Sequence, residues 1–194
     1  LVSKKRNIPL IISDQGGLTT HPDLKNSGLI RRIFYKLQSP MLRFVIGQSK
    51  KIIVANEYEK KIFSELTDEN KIEIVENGIN LEKMKSNVEF KTKYAINHEY
   101  FLFLGRFHKV KGIDILLKAM HLIKNHQLMS DVKLVIMGVD FGFEDEMLKM
   151  INEMDLDNVV KVIKNPPRED VIAAYKESEF LVLPSRWELS PLTP

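Results

Sequence analysis

Residues 100–184 alternate between short, continuous apolar runs and stretches with helical periodicity. The apolar runs are typical of strands that are buried on both faces of a sheet. Between the first two runs, apolar residues recur at steps of three and four, as in Ile113, Leu116, Leu117, Met120 and Ile123. This spacing is typical of a helix that turns one stripe toward a core. The pattern predicts helices that separate strands at 100–105, 132–138, 159–163 and 180–184.

Strands that alternate with helices predict parallel pairing through right-handed crossovers, and hence a doubly wound α/β sheet. Proteins of this class bind ligands at the carboxyl ends of their strands. Residues 9–75 are less regular but also α/β, with strands predicted at 9–13, 52–56 and 71–75. The helical stripe predicted between the last two consists of Tyr58, Ile62, Phe63 and Leu66. The Asn77-Gly78 turn signal and the polar stretch after it divide the chain into predicted domains of residues 1–84 and 85–194.

Composition narrows the function classes. A net charge of +3 is far from that of a dedicated nucleic-acid binder, although a pI near 8.9 suits anionic ligands. The absence of cysteine excludes disulfides, thiolate metal sites and cysteine nucleophiles. No apolar run approaches the roughly 18 residues of a membrane-spanning helix. The charges of residues 1–6 are not followed by the apolar stretch that a signal peptide requires. We expect a soluble cytoplasmic protein, and a fragment, because the chain lacks an initial methionine and stops where a helix is expected.

The segment between the first strand and the first helix of the second predicted domain is the strongest candidate site. It reads Gly-Arg-Phe-His-Lys-Val-Lys-Gly at 105–112. Such a turn directs free backbone N–H groups and the positive end of a helix at an anion such as phosphate. Arg106 can bind two phosphate oxygens at once, Lys111 adds a second cation, and Gly112 is expected to let the helix begin close to the ligand. The alternative interpretation of this segment is an ordinary solvated loop. The segment contains neither the Walker phosphate-binding loop nor the three-glycine fingerprint of dinucleotide-binding proteins.

A second candidate segment, residues 183–194, follows the last predicted strand. It contains Glu188 in an otherwise apolar and hydroxyl-bearing stretch, where a carboxylate could accept hydrogen bonds from sugar hydroxyls. The alternative interpretation is a surface glutamate that pairs with Arg186. Arg186 and Trp187 are themselves expected to be structural residues.

Taken together, these motifs resemble the group 1 (GT4-type) retaining glycosyltransferases, which have the GT-B fold. The resemblance lies in Gly105-Arg106 with Lys111-Gly112, the apolar run that ends at Gly138, and Pro184-Ser185 before Glu188. Residues 77–80 also resemble the family's Asn-Gly-Val-Asp segment, which leads into its second domain. The resemblance implies two Rossmann-like doubly wound domains, both incomplete here, the first on the acceptor side and the second binding the donor nucleotide.

The resemblance also implies roles for individual residues. Arg106 and Lys111 would hold the donor diphosphate and Glu188 would contact the donor sugar, which makes these three the candidate catalytic residues. The implied donor-binding set is Gly105, Arg106, Lys111, Gly138, Arg168, Glu188, Ser190, Leu192 and Thr193. The family's second glutamate, which would bind the ribose, falls beyond Pro194. No metal and no cofactor is expected besides the nucleotide-sugar substrate.

One segment departs from the family. Gln15 stands where the family has a histidine near the sugar, and Gln15, Gly16 and Gly17 are expected to contact the sugar. A glutamine can hydrogen-bond a sugar hydroxyl but cannot become cationic. Any role that requires a charged imidazole is therefore in doubt at this position.

The resemblance implies an enzyme that transfers a sugar from a nucleotide-sugar donor to an unidentified glycan or lipid-linked acceptor with retention of configuration, the fragment itself being inactive. Two alternatives stay open: a non-catalytic nucleotide-sugar-binding protein, which Gln15 favours, and a phosphorylase or epimerase on the same scaffold.

A basic cluster of Arg31, Arg32, Lys36 and Arg43 among apolar residues is compatible with peripheral contact with the inner face of a membrane. An ordinary amphipathic helix with a solvated face is the favoured interpretation of the cluster. No nucleic-acid partner is expected.

Overall fold

The computed structural model describes residues 2–13, 40–80, 82, 84–125 and 133–188. The described residues fall into two compact units. The first holds those up to Ile79 together with Trp187 and Glu188, and the second runs from Asn80 to Arg186. The break between them falls a few residues before the predicted domain boundary. The assignment of the units to acceptor and donor sides stays a prediction.

The first unit contains a parallel three-stranded sheet in the order β1-β2-β3. Its strands are β1 (Ile11–Ser13), β2 (Lys51–Val54) and β3 (Ile72–Ile74). Its helices are α1 (Val2–Arg6), α2 (residues 40–48) and α3 (Glu57–Ser64), with a 3₁₀ turn at Glu69–Lys71. The buried core consists of Ile46, Ile52, Val54, Phe63 and Ile72. The predicted α/β character of this part of the chain is confirmed.

Helix α3 begins at Glu57, one residue before Tyr58, and its first turn is capped from both sides. The Asn56 side chain accepts a hydrogen bond from the Glu59 backbone N–H at 2.9 Å, while the Glu59 carboxylate accepts one from the Ala55 N–H at 2.6 Å. This reciprocal cap holds Glu59 in the buried face, together with Phe63. Tyr58 is 57% exposed, so its predicted place on the buried stripe is wrong.

The second unit contains a parallel four-stranded sheet in the order β6-β5-β4-β7. The strands are β4 (Tyr100–Leu104), β5 (Lys133–Gly138), β6 (Val160–Lys164) and β7 (Phe180–Leu181). The helices are α4 (Phe90–Lys93), α5 (Ile113–Asn125), α6 (Glu144–Glu153) and α7 (Arg168–Glu177), with a 3₁₀ turn at Lys109–Lys111. The predicted strands and helices of residues 100–184 are confirmed, except that β7 has two residues rather than five.

Side chains of this sheet are buried on both faces, which explains the continuous apolar runs. Along β4, Phe101 and Phe103 join a cluster with residues of α5 and α6, whereas Tyr100 and Leu102 join a cluster with residues of α4 and α7. Successive residues of a strand point to opposite faces, so a sheet with helices on both sides favours apolar residues at consecutive positions. The doubly wound arrangement is confirmed.

The order of the strands reverses at β4. From β4 the chain adds β5 and then β6 on one side, and it returns to place β7 on the other side of β4. The β4–β7 pairing joins Phe101 to Phe180 and Leu102 to Leu181. In doubly wound sheets, ligands bind outside the carboxyl ends of the strands at such a reversal. The loops that follow β4 and β7 therefore occupy the position where this fold binds ligands.

Two carboxylates of α7 clamp the short helix α4, which the periodicity did not predict. Glu177 accepts hydrogen bonds from the backbone N–H groups of Phe90 and Lys91 at 2.7 and 2.8 Å. Asp170, 1% exposed, accepts hydrogen bonds from the Lys93 ammonium at 2.8 Å and from the Tyr94 hydroxyl at 2.5 Å. Burial opposes ionisation of Asp170, but these two donors lower the pKa of its carboxyl. Burial and Asp170 together raise the pKa of Tyr94 to about 12.

Candidate functional site

The backbone of the loop after β4 is fixed by the neighbouring strand β5 and the loop that follows it. The Gly105 N–H donates to the Met137 carbonyl at 3.0 Å, and the Phe107 N–H donates to the Val139 carbonyl at 2.8 Å. Phe107 is fully buried, whereas Arg106, between these two anchor points, is exposed. The ladder therefore continues past the end of β4 and presents the Arg106 side chain to solvent at the carboxyl edge of the sheet.

Gly112 ends the 3₁₀ turn of this loop in the left-handed conformation, with φ of 70°. A Cβ at this position would lie 2.0 Å from the carbonyl oxygen of Pro184, which belongs to the segment after β7. Both the backbone angle and the space therefore favour glycine. The contact with Pro184 requires glycine independently of any ligand, and the predicted approach of the helix to a ligand at Gly112 stays a prediction.

Arg186 joins the segment after β7 to the loop after β4. Its backbone N–H donates to the Val110 carbonyl at 2.8 Å, and its guanidinium donates to the Lys109 carbonyl at 2.7 Å. Two further bonds of 2.7 Å form a fork-to-fork pair with the Asp114 carboxylate. The expectation that Arg186 is structural is confirmed. Its carboxylate partner is Asp114 rather than Glu188.

Asp114 lies in the first turn of α5, where a negative charge also interacts favourably with the helix dipole. The hydrogen bond from Arg186 lowers the pKa of the Asp114 carboxyl despite its burial, and Asp114 raises the pKa of Arg186. Both groups are therefore charged at neutral pH. The sequence offered no direct signal for this pair, since its members are 72 residues apart.

Gly138 ends β5 and contacts the loop after β4. A Cβ here would lie 1.8 Å from the Gly105 carbonyl oxygen and 2.9 Å from the Phe107 ring. Glycine is therefore required for the close approach of the two backbones, independently of any ligand. The predicted approach of Gly138 to a nucleotide stays a prediction.

Asp140 fixes the loop after β5, and the sequence prediction missed it. Its carboxylate accepts hydrogen bonds from the backbone N–H groups of Gly142, Phe143 and Glu144 at 2.9, 3.1 and 3.0 Å, and so caps the start of α6. Burial opposes ionisation of Asp140, but these bonds lower its pKa. An aspartate just before a helix with an acidic first turn is a capping signal that could have identified it.

The remaining predicted site residues are placed as follows. Lys111 is half-buried in the 3₁₀ turn. Arg168 is exposed at the first residue of α7, which follows β6 at the far side of the sheet from β7. Glu188 is half-buried and groups with the first unit, and its predicted contact with the donor sugar stays a prediction. Outside the described residues lie Gln15, Gly16, Gly17, Ser190, Leu192 and Thr193.

Among the described residues, no group of three or more His, Cys, Asp or Glu side chains is placed to hold a metal ion. Within the same ranges, no helix has the length and apolar character needed to cross a bilayer. Of the predicted basic cluster, Arg43 lies exposed on α2, and Arg31, Arg32 and Lys36 fall outside the described ranges.

Residues 84–194 match the sequence model of the family described as glycosyl transferases group 1. This match covers more than half of the chain. The chain belongs to the group 1 glycosyl transferases. The expected family resemblance is thereby confirmed, and the matched residues include both loops that meet at the strand-order reversal.

Curated relatives agree with this assignment. The chain is 26% identical over 125 residues to a D-inositol 3-phosphate glycosyltransferase from Pseudarthrobacter chlorophenolicus, a match that covers 61% of this chain and 29% of that protein. It is 22% identical over 151 residues to a protein of the same name from Mycobacterium sp. strain JLS, covering 73% of this chain and 33% of that protein. The chain thus spans about a third of the length of these relatives.

Solved structures show the same fold. The structure of Anabaena HepE in complex with UDP-glucose superposes with a TM-score of 0.70 at 16% identity, over 96% of this chain and 50% of that one. WaaG, a glycosyltransferase involved in lipopolysaccharide biosynthesis, superposes with a TM-score of 0.75 at 16% identity, over 93% of this chain and 52% of that one. The fold is that of the GT-B glycosyltransferases, of which this chain spans about half.

Proposed function

We propose that this group 1 family member is part of a glycosyltransferase that uses a nucleotide-diphosphate sugar as donor, and that Arg106 and Lys111 bind the donor diphosphate. The observation that carries the proposal is the place of the loop that holds both cations. It leaves β4 at the strand-order reversal, where doubly wound sheets bind their ligands. The loop is joined there to the segment after β7 by Arg186.

The chemistry of sugar transfer suits these two cations. When the bond between the anomeric carbon and the phosphate oxygen breaks, negative charge develops on the departing diphosphate. Positive groups fixed in advance stabilise this charge more in the transition state than in the ground state. The Arg106 fork can bind two phosphate oxygens, and Lys111 acts as a second point charge.

The donor base and sugar are proposed from the structural neighbours. The HepE structure contains UDP-glucose, and a structure of Staphylococcus aureus TarM contains UDP. We therefore take a uridine diphosphate sugar as the first donor to test. Glu188 is proposed to accept hydrogen bonds from the donor sugar, Gly138 and Arg168 to approach the nucleotide, and Gln15 to replace the family histidine. Retention of configuration and a glycan or lipid-linked acceptor belong to the same proposal.

The proposal is tested by calorimetric titration of the full-length parent protein with UDP, GDP and ADP and with their glucose conjugates. Replacing a charged hydrogen-bonding partner costs about 1.5–3 kcal/mol, so Arg106→Ala is expected to weaken nucleotide diphosphate binding about ten- to hundredfold. Glu188→Ala is expected to weaken only the sugar conjugate. Arg43→Ala, which removes another exposed arginine, is the control and should bind as the parent does.

Three results would count against the proposal. If none of the nucleotide diphosphates binds, or if Arg106→Ala binds as Arg43→Ala does, the cations of the β4 loop do not form a donor site. If the donor binds but no sugar is transferred or hydrolysed, the protein is the non-catalytic binder that Gln15 favours. The fold and family assignments would stand in either case.

A further inference from the structure

Phe141 is an exposed aromatic residue at the carboxyl edge of the sheet, in the loop after β5. Its side chain is 52% exposed, so burial in the core does not explain it. The guanidinium carbon of Arg106 lies over its ring, 5.1 Å from the ring centroid. This distance is within the range of cation–π attraction.

The backbone beneath both side chains is fixed. The Phe141 N–H donates to the Phe107 carbonyl at 3.0 Å, which follows directly on the bond from Phe107 to Val139. Asp140, immediately before Phe141, holds three backbone N–H groups of the turn that follows. The loops after β4 and β5 therefore fix the backbone positions of Phe141 and Arg106 relative to one another.

The ring contact distinguishes Arg106 from Arg186. The Arg186 fork is engaged by Asp114 and by the Lys109 carbonyl. Among the described residues, by contrast, we find no carboxylate or carbonyl hydrogen-bonded to Arg106. An arginine side chain has considerable rotamer freedom, which binding must remove. The contact with the Phe141 ring restricts this freedom.

We propose that Phe141 is a positioning residue that holds the Arg106 guanidinium in place for the donor diphosphate. The proposal rests on the proposed role of Arg106 in binding that diphosphate. A cation–π contact engages the positive charge of the guanidinium without supplying a hydrogen-bond acceptor, and the guanidinium carries five N–H donors. The contact with Phe141 therefore leaves N–H donors of Arg106 available to phosphate oxygens.

The test measures UDP binding by calorimetry in the full-length protein. At an exposed site a cation–π contact is weak, so Phe141→Leu is expected to lower UDP affinity about two- to fivefold. Phe141→Trp keeps an aromatic face and is expected to restore the parent affinity. Phe44→Leu is the matched control, since Phe44 is 51% exposed and lies on α2 of the first unit. The melting temperature should be unchanged in Phe141→Leu, because the ring is not part of a buried cluster.

A double-mutant cycle separates positioning from a direct contact between the ring and the nucleotide. In an Arg106→Ala background, Phe141→Leu is expected to cause no further loss of UDP affinity. Equal losses in the two backgrounds, or a Phe141→Leu protein that binds UDP as the parent does, would overturn the positioning role while Arg106→Ala still weakens binding. If Arg106→Ala itself leaves UDP affinity unchanged, the proposed function fails and the role of Phe141 falls with it.

Discussion

Removing the guanidinium of Arg186 is the perturbation whose consequence the structure defines best. Arg186→Met keeps an unbranched side chain but removes three hydrogen bonds of 2.7 Å, two to Asp114 and one to the Lys109 carbonyl. Asp114, 8% exposed, is then left as a carboxylate without its cation. Breaking a fully buried pair in this way costs about 3–5 kcal/mol.

The cost is smaller here because water reaches the pair. The Arg186 side chain is 39% exposed, so solvent screens its charge and hydrates Asp114 after the substitution. We therefore expect the free energy of unfolding to fall by about 2 kcal/mol, less than the fully buried case. For a chain of this size that corresponds to a melting temperature lower by about 4–8 °C.

The assay is urea unfolding of the parent, Arg186→Met, Asp114→Asn and the double variant. Because the double variant leaves no uncompensated charge, its loss should be smaller than the sum of the single losses, with a coupling of at least about 1 kcal/mol. Arg186→Lys tests the fork, since it keeps the charge but loses the paired geometry. A coupling energy near zero, or an Arg186→Met protein as stable as the parent, would refute the reasoning.

The same pair sets a pH dependence. The folded-state pKa of Asp114 is lowered, so its contribution to stability is fully present above the ordinary value of 3.8. It is lost as the pH falls from that value through the lower folded-state pKa. Urea unfolding at pH 7 and at pH 3 should therefore show a smaller difference between the parent and the double variant at the lower pH. An equal difference at both pH values would contradict the assigned shift.

Three further predictions concern the glycine contact, the α4 clamp and the position that departs from the family. Gly138→Ala forces a Cβ to within 1.8 Å of a backbone oxygen and should lower the free energy of unfolding in urea by about 3 kcal/mol or more. Gly78→Ala, whose added Cβ has no atom within 4 Å, should lower it by under about 0.5 kcal/mol. Similar losses in the two variants would contradict the steric argument. Glu177→Ala removes the cap of α4 and should lower the free energy of unfolding by about 1–2 kcal/mol. Glu153→Ala, which removes an exposed ion pair with Lys149, should lower it by only about a few tenths of a kcal/mol. An unchanged urea midpoint for Glu177→Ala would disprove the cap. Gln15→His should raise the rate of sugar transfer by the full-length protein, and an unchanged rate would show that no cationic imidazole is needed there.

The strands of the second unit could be predicted because burial on both faces leaves a local trace. Phe101 and Leu102 belong to clusters on opposite faces of the sheet, so neither position could be polar. The run at 180–184 was predicted too long for a related reason. Val182 still donates a hydrogen bond to the Leu102 carbonyl at 2.8 Å, but beyond it the segment turns toward Gly112 and leaves the sheet.

The contacts that shape the site could not be read from local pattern. Gly112 and Gly138 were assigned to the site from their motif, yet their requirement for glycine comes from carbonyl groups of Pro184 and Gly105, which are distant in the sequence. The cap of α4 joins Phe90 to a glutamate 87 residues away. Such contacts depend on which loops the topology brings together, and periodicity carries no information about that.

The packing of the Pro184 carbonyl into the space left by Gly112 has a consequence for protein engineering. Transplanting residues 105–112 alone from a homologue would separate this loop from the segment that it packs against. A chimera that exchanges residues 105–112 and 184–186 together would keep the Arg186 bonds to Val110 and Lys109 within one inherited piece. The two stretches, far apart in the gene, are best treated as a single cassette.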